Sequence, residues 1–335
     1  MALFAKLDAA ARFALIRATN GRMPIVVRWQ TTNRCTARCR YCEIWKSPGD
    51  ELSFDEARRM LREFHALGTR RLCLSGGEPL LREDIDELIA FCTRLGLSLE
   101  LNTNGVLLRE HLGSLRRLAL VKVSLDGPPG IHDEIRGCRI HDVIVDNLEA
   151  CRVAGVRFSF TTTLVRDNTS IETVDHVLGL AERFGTFAAF QPVVSTTPWG
   201  EGDMQAIAPP PERMREVFRY LIEQKRLRPA RIRNSMAGLR HVLDWPRFPK
   251  AKCVAGIVFV VVESNGELYA CERTAYPPET IFPNVRAGVR RAFDTVVLPD
   301  CPGCGFCGAT ELSFLWNRRL SVWREVARIV GLGKG

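Results

Sequence analysis

The stretch IVVRWQTTNRCTARCRYC, residues 25–42, decides the fold. Its first part, Ile25–Trp29, is an apolar run rich in β-branched residues, which is typical of a buried strand. Its second part carries Cys35, Cys39 and Cys42 with C-x3-C-x2-C spacing. Three thiolates within eight residues can hold one inorganic centre from a single loop. The sequence therefore predicts a metal site directly after a strand.

Further strand signals follow at regular intervals and alternate with helical periodicity. The clearest helix signal is at Ser53, which forms a capping box with Glu56 and precedes an apolar stripe that ends at Gly68. The predicted strands are Ile25–Trp29, Arg71–Ser75, Leu97–Asn102, Leu120–Leu125, Val156–Leu164 and Phe187–Val194. Six β/α units in residues 24–225 are too few for a full barrel, which takes about 250 residues. The pattern predicts an α/β fold, a partial (β/α)6 TIM barrel that is open on one side.

Polar and glycine-rich motifs stand where several of these strands end. They are Gly76-Gly77-Glu78-Pro79, Asn102-Thr103-Asn104-Gly105, Ser124-Leu125-Asp126-Gly127 and Gln191-Pro192. The carboxyl ends of barrel strands share one rim, where active sites lie. We therefore expect these motifs to surround the three-cysteine loop.

The chemistry of the first cysteine group has two interpretations. Three cysteines suit a [4Fe–4S] cubane whose fourth iron stays open. The alternative is a structural zinc site, which needs a fourth, distant ligand. The next cysteine or histidine candidates, His65 and Cys73, lie beyond a predicted helix.

A second cysteine group lies in residues 226–310, which we interpret as a smaller domain. A β-hairpin with an Asn265-Gly266 turn is flanked by Cys253 and Cys271, so its two arms bring these thiols together. Three more thiols, Cys301, Cys304 and Cys307, follow in a compact loop. Five thiolates can hold one cubane but not two; four of them fit a zinc ribbon equally well.

Composition restricts the class of protein. The 335 residues are 46% hydrophobic and 25% charged, which excludes a disordered chain. No signal peptide and no run of about 18 apolar residues is present. Of the twelve cysteines, eight fall in the two groups, which indicates metal chemistry in a reducing cytoplasm. The net charge of +9 is spread along the chain, and we expect no nucleic-acid partner.

Two amphipathic segments, residues 1–23 and 311–335, flank these regions. Basic and aromatic helices of this kind can lie on membranes, but packing on the barrel is the favoured interpretation.

Taken together, the motifs make residues 24–225 resemble the radical S-adenosylmethionine (SAM) superfamily. The resemblance rests on the C-x3-C-x2-C loop with Tyr41, on Gly76–Pro79, and on Ser124–Gly127 with His132, Asp133, Arg136 and Gly137. It implies a [4Fe–4S] cluster on the three cysteines, with SAM on the open iron. Reductive cleavage of SAM would give a 5′-deoxyadenosyl radical that abstracts hydrogen from an unactivated C–H bond.

The same resemblance implies roles around SAM. The Gly76–Glu78 turn would meet its amino group, Ser124 and Arg136 its ribose or carboxylate, and Tyr41 its adenine. The remaining candidate cofactor contacts on the rim are Pro79, Asn104 and Gln191.

Residues 250–310 are similar to the SPASM and shorter twitch domains of the superfamily, which carry auxiliary clusters. Five cysteines match the one-cluster form better than the seven of a full SPASM domain. The resemblance implies a second [4Fe–4S] cluster and an external one-electron donor of the flavodoxin or ferredoxin type.

The substrate expectation is a small molecule, such as a sugar, nucleoside or lipid-linked metabolite. The alternatives are a peptide-modifying maturase and, from another class, a non-catalytic iron–sulfur or zinc protein. Cys138, in a rim loop, is a candidate hydrogen donor, although a loop cysteine without a role is favoured.

Overall fold

The computed structural model of the chain describes residues 12, 15–16, 18–46, 49–194, 206–249, 252–271, 279–298 and 304–317. Residues 1–11 and 318–335 lie outside this set, and they include most of the two predicted amphipathic segments. Cys301 also lies outside it. No helix among the described residues is long and apolar enough to cross a bilayer.

The described strands form a sheet in the order β6-β5-β4-β3-β2-β1-β7-β8. Neighbours from β6 through β1 to β7 are parallel, and β7 and β8 are antiparallel. The strands are β1 Val26–Gln30, β2 Arg71–Ser75, β3 Ser98–Thr103, β4 Leu120–Ser124, β5 Phe158–Leu164, β6 Ala188–Pro192, β7 Phe259–Val262 and β8 Leu268–Tyr269. The order ends at β6 and β8 and does not close, which confirms the partial barrel.

Helices connect the strands and continue after β6, and those between β1 and β6 cover one face of the sheet. They are α1 Phe54–Leu67, α2 Ile85–Arg94, α3 Leu112–Leu115, α4 Pro129–Arg136, α5 His141–Val153, α6 Ile171–Arg183, α7 Pro211–Leu227, α8 Met236–Val242, α9 Val289–Asp294 and α10 Cys307–Trp316. Short 3-10 helices span Ile44–Lys46, Pro79–Leu81, Leu108–His111 and Val285–Ala287. The hydrophobic core lies between the helices and the sheet. The strands contribute side chains such as Val27, Trp29 and Phe160, which are fully buried.

The local prediction at α1 is confirmed in detail. The Ser53 hydroxyl accepts from Glu56 N, and the Glu56 carboxylate accepts from Ser53 N. Gly68 ends the helix in the left-handed conformation, with φ of 111°. This capping fixes where the chain leaves the cysteine loop and enters the first crossover helix.

The hairpin also forms as predicted, but it joins the barrel sheet. β7 pairs in parallel with β1, with Val26 opposite Phe259 and Trp29 opposite Val262. Because β7 runs parallel to β1, the residues that precede β7 lie toward the amino end of β1. The cysteines beside the hairpin and the cysteine loop after β1 are therefore at opposite ends of the same strand pair.

Candidate functional site

The three-cysteine loop follows β1 and lies against the loop after β2. Cys35, Cys39 and Cys42 are each partly buried. Burial is the main cause that raises the pKa of Cys35 to about 11 and the pKa of Cys42 above its ordinary value, and the charge of Cys39 adds to both. A thiol in this environment becomes a thiolate only when a cation or metal compensates its charge.

Gly76 and Gly77 let the second loop contact the cysteine loop through backbone alone. Gly77 N donates to Thr32 O and Glu78 N donates to Arg34 O, and both distances are 2.8 Å. A Cβ on Gly76 would lie 2.3 Å from Thr32 O, and one on Gly77 would lie 2.2 Å from Arg34 O. Gly76 also has a φ of 127°. The glycine pair is therefore a steric requirement of this contact.

Glu78 anchors the turn from the buried side. Its carboxylate is inaccessible to solvent and accepts from Asn104 N (2.7 Å), the Thr103 hydroxyl (2.9 Å) and Leu80 N (3.2 Å). Burial raises the pKa of Glu78 to about 7 although these hydrogen bonds oppose the rise. Glu78 thus joins the ends of β2 and β3, and Pro79 begins the short 3-10 helix that follows.

Asn104 connects the end of β3 to the cysteine loop. Its Nδ2 donates to the Thr36 hydroxyl at 2.9 Å and lies 3.9 Å from Cys35 Sγ. The resemblance placed Asn104 among the cofactor contacts; in the structure its amide also fixes the loop itself.

Arg136 and Asp126 form the other wall of the site. Arg136 Nη2 lies 2.7 Å from Asp126 Oδ2, and Arg136 Nη1 donates to Cys39 Sγ at 3.6 Å. The Tyr41 hydroxyl donates to Asp126 Oδ2 at 3.3 Å, and the Arg136 guanidinium lies 5.6 Å from the centre of the Tyr41 ring. Burial alone would lower the pKa of Arg136, but the Asp126 carboxylate keeps it above the ordinary value. The motif Ser124–Gly127 contains Asp126, but nothing in the sequence indicates that its carboxylate pairs with Arg136.

The other predicted residues lie at the same end of the sheet or beside it. Ser124 ends β4 and pairs with Thr161 of β5, while Gln191 lies in β6 opposite Thr163. Cys138 is partly buried, and its thiol donates to Arg136 O at 3.4 Å. Its function as a hydrogen donor stays a prediction.

The face of the sheet that turns away from the helices is polar. Arg28 Nη2 and Asn102 Nδ2 both donate to the Ser75 hydroxyl, at 3.3 and 3.2 Å. Glu100 is paired with Lys122 and Arg71. Burial raises the pKa of Glu100, but these two cations outweigh it and bring the pKa to about 2. Strands β1–β8 therefore contribute three cations and one carboxylate to this face.

Helix α10 connects members of the second cysteine group. Asn234 Nδ2 donates to Cys307 Sγ at 3.3 Å, at the first turn of α10. On the same helix, Ser313 Oγ donates to Cys253 Sγ at 3.9 Å. Cys253 is exposed, whereas Cys271, Cys304 and Cys307 are partly buried.

The donor set at the first cysteine loop fits a cluster. Three thiols share one loop, and the glycine contact leaves no room for side chains. The buried Arg136 Nε has no hydrogen-bond partner in the structure. Among the described residues, no three His, Cys, Asp or Glu side chains are arranged to hold a single metal ion. A cubane is wider than one ion, so thiols that surround it lie farther apart.

Similar proteins are found by sequence and by fold. AdoMet-dependent heme synthase of Oleidesulfovibrio alaskensis is 31% identical over 172 residues, 49% of this chain and 44% of the relative. Mycofactocin maturase MftC of Mycobacterium tuberculosis is 27% identical over 271 residues, 74% of this chain and 64% of the relative. The chain spans about half the length of the heme synthases it matches.

The fold is similar to that of Streptococcus suis SuiB bound to S-adenosylmethionine, with a TM-score of 0.68 and 16% identity. The likeness covers 84% of this chain and 67% of SuiB. The family model of the Radical SAM superfamily matches residues 29–181, which contain the cysteine loop, the glycine turn and the Asp126–Arg136 pair. Residues 29–181 are therefore similar to the radical SAM domain of that superfamily.

Proposed function

We propose that the chain is a radical SAM enzyme that cleaves SAM reductively and activates a C–H bond of a small polar molecule. The observation that carries the proposal is the cysteine loop at the carboxyl ends of the strands, held by Gly77, Asn104 and Arg136. When bound, the cluster and SAM supply a 5′-deoxyadenosyl radical for hydrogen abstraction.

In this proposal the residues of the chain bind and orient the cluster and SAM. Cys35, Cys39 and Cys42 hold the cluster from one loop. The glycine turn lets the loop after β2 pack directly on the cysteine loop, which fixes the position of the three thiols. Ser124, Tyr41 and Gln191 complete the rim, and Glu78 holds β2 and β3 together below it.

The polar face of the sheet supports a polar substrate. Arg28, Asn102 and Lys122 line it from neighbouring strands, below the level of the cysteine loop. A barrel interior packed for stability carries bulky apolar side chains instead. An apolar substrate would displace water from this polar face and offer it no hydrogen bonds in return, at a cost of several kcal/mol. We therefore favour a substrate with hydroxyl, amide or anionic groups.

Four of the five cysteines Cys253, Cys271, Cys301, Cys304 and Cys307 are the proposed ligands of an auxiliary [4Fe–4S] cluster. Hydrogen bonds from Asn234 and Ser313 to two of these sulfurs support it, because such bonds tune iron–sulfur centres. The electron for SAM cleavage would come from an external flavodoxin- or ferredoxin-type donor.

Peptide modification is the second candidate. One observation favours it: the match to mycofactocin maturase MftC extends over 74% of this chain and thus beyond the radical SAM domain. A peptide backbone carries amide groups that could hydrogen-bond to the polar sheet face, as a polar small molecule could.

Anaerobic reconstitution tests the function. The protein with iron and sulfide restored, dithionite and SAM should release 5′-deoxyadenosine, and a Cys35→Ala/Cys39→Ala/Cys42→Ala variant should release none. Equal, background release from both proteins would favour the non-catalytic alternative. Deuterated small molecules and peptides, screened for deuterium transfer into 5′-deoxyadenosine, then separate the two substrate classes.

A further inference from the structure

The guanidinium of Arg136 contacts protein groups on two sides. Its Nη2 pairs with Asp126 at 2.7 Å and its Nη1 donates to Cys39 Sγ at 3.6 Å. Arg136 is 6% exposed and Asp126 is fully buried. The resemblance assigned Arg136 to the ribose or carboxylate of SAM, yet its contacts point to a proposed cluster ligand.

The backbone around Arg136 is fixed to the cysteine loop. Arg38 N donates to Arg136 O at 2.9 Å, and Arg40 N donates to Ile135 O at 3.0 Å. Gly137 ends α4 in the left-handed conformation, and a Cβ there would lie 2.6 Å from Arg38 O. The end of α4 and the loop around Cys39 are therefore one packed unit, which holds the guanidinium beside the sulfur.

Asp126 sets the direction of the guanidinium. Its Oδ1 accepts from Thr163 N at 2.9 Å, and its Oδ2 accepts from Tyr41 and faces Arg136. With both oxygens occupied, the carboxylate is fixed, and the second nitrogen of the guanidinium is left to point toward Cys39. Asp126 thus acts on the sulfur through Arg136.

A buried cation that donates to a thiolate favours the more negative state of a cluster. One-electron reduction adds a negative charge to a [4Fe–4S] centre, and a hydrogen bond to its sulfur stabilises that charge. Because Arg136 is buried, water and salt screen its charge only weakly.

We propose that Arg136 is a hydrogen-bond donor to the cluster ligand Cys39 and raises the reduction potential of the SAM-binding cluster, with Asp126 as its positioning residue. The proposal rests on the proposed function, since it requires the cluster. The step concerned is transfer of one electron from a flavodoxin- or ferredoxin-type donor to the cluster, before SAM is cleaved.

The test is a redox titration of the reconstituted full chain without SAM, followed by electron paramagnetic resonance. Arg136→Met should make reduction about tenfold less favourable, which for one electron is a shift of 59 mV to lower potential. Arg40→Met is the matched control, because Arg40 adjoins Cys39 in sequence but its side chain is 50% exposed and pairs with Glu134 and Asp167. It should leave the potential near the wild-type value.

Two results overturn the proposal. One is an unchanged potential in Arg136→Met that accompanies weaker SAM binding, which would return Arg136 to the SAM-contact role. The other is an equal shift in Arg40→Met, which would reduce the effect to general charge. Both results leave the release of 5′-deoxyadenosine by the wild-type protein intact, so they are distinct from failure of the proposed function.

A second measurement covers the case in which Arg136→Met does not assemble a cluster. Wild-type protein labelled with 15N-arginine should show a weak nitrogen coupling to the reduced cluster by pulsed electron paramagnetic resonance, and Arg136→Lys should lack it. Absence of coupling in the wild type, or its persistence in Arg136→Lys, contradicts the proposal.

Discussion

Gly77 illustrates how a single hydrogen atom in place of a side chain decides the geometry of the site. Its position permits the bond from Gly77 N to Thr32 O that draws two loops together. A Gly-Gly pair after a strand is typical of a tight turn, and the close backbone approach is a second reason for glycine at this position.

Gly77→Ala is expected to impair cluster assembly. The new Cβ would lie 2.2 Å from Arg34 O, a backbone atom, so the cysteine loop must move away. We expect iron content after reconstitution to fall and the melting temperature to drop. Gly179→Ala is the matched control, because this exposed helical glycine has open space around it and alanine favours helix by about 1 kcal/mol. Equal iron in both variants would contradict the steric argument.

His132 is a buried base next to the site. Its Nδ1 accepts from Asp126 N at 3.0 Å, and burial, with the nearby Arg136 charge, lowers its pKa to about 2. The unfolded chain titrates this group near pH 6.5, so below that pH the unfolded state binds a proton that the folded state does not. The stability contributed by neutral His132 is therefore complete above pH 6.5 and decreases as the pH falls.

His132→Asn should remove this dependence. Asparagine keeps an acceptor for Asp126 N but does not titrate. The free energy of unfolding of the wild-type apoprotein should fall between pH 6.5 and 5.5 more steeply than that of the variant, by at most about 1.4 kcal/mol per pH unit. Denaturant titrations at several pH values measure both slopes, and parallel slopes would disagree with a neutral buried histidine.

At the scale of elements, the sequence predicted what is local. The capping box at Ser53, the strand Arg71–Ser75 and the hairpin at Asn265-Gly266 each depend on residues close together in the chain, and all three are present. The parallel pairing of β7 with β1 joins residues more than 200 positions apart, and no short pattern encodes that register.

The polar face of the sheet has a signal in the sequence. Strands covered on both faces in α/β folds are nearly continuous apolar runs. Here Arg28 and Gln30, Glu100 and Asn102, and Lys122 and Ser124 recur at every second position of three strands. This period of two is a signal for a solvated or ligand-lined interior.

The ion pair of Glu100 and Lys122 connects β3 to β4 on this face, and breaking it should lower the free energy of unfolding. Lys122→Met leaves the Glu100 carboxylate, 9% exposed, with Arg71 alone, and we expect a loss of about 2 kcal/mol in the free energy of unfolding. Adding Glu100→Gln should recover part of that loss, because no carboxylate then remains underpaired. Additive costs in the double variant, measured by denaturant titration, would show that the two side chains do not interact.

At the scale of the whole molecule, the first cysteine group and the hairpin cysteines lie at opposite ends of the β1–β7 strand pair. The first follows the carboxyl end of β1, whereas Cys253 and Cys271 flank a hairpin whose open end lies toward the amino end of β1. A five-residue strand is about 16 Å long, so the length of β1 separates Cys253 and Cys271 from the first cysteine loop. Such a separation predicts that the centres assemble independently.

Iron analysis of two complementary variants tests this independence. With two [4Fe–4S] clusters, the reconstituted wild type should hold about eight irons per chain. Replacing Cys35, Cys39 and Cys42 by alanine should leave about four and remove all 5′-deoxyadenosine release. Replacing Cys253 and Cys271 should also leave about four, because their hairpin is distant from the first loop, while SAM cleavage without substrate should persist. Loss of both clusters in either variant would show that the groups share a centre or fold as one, against the arrangement along β1 and β7.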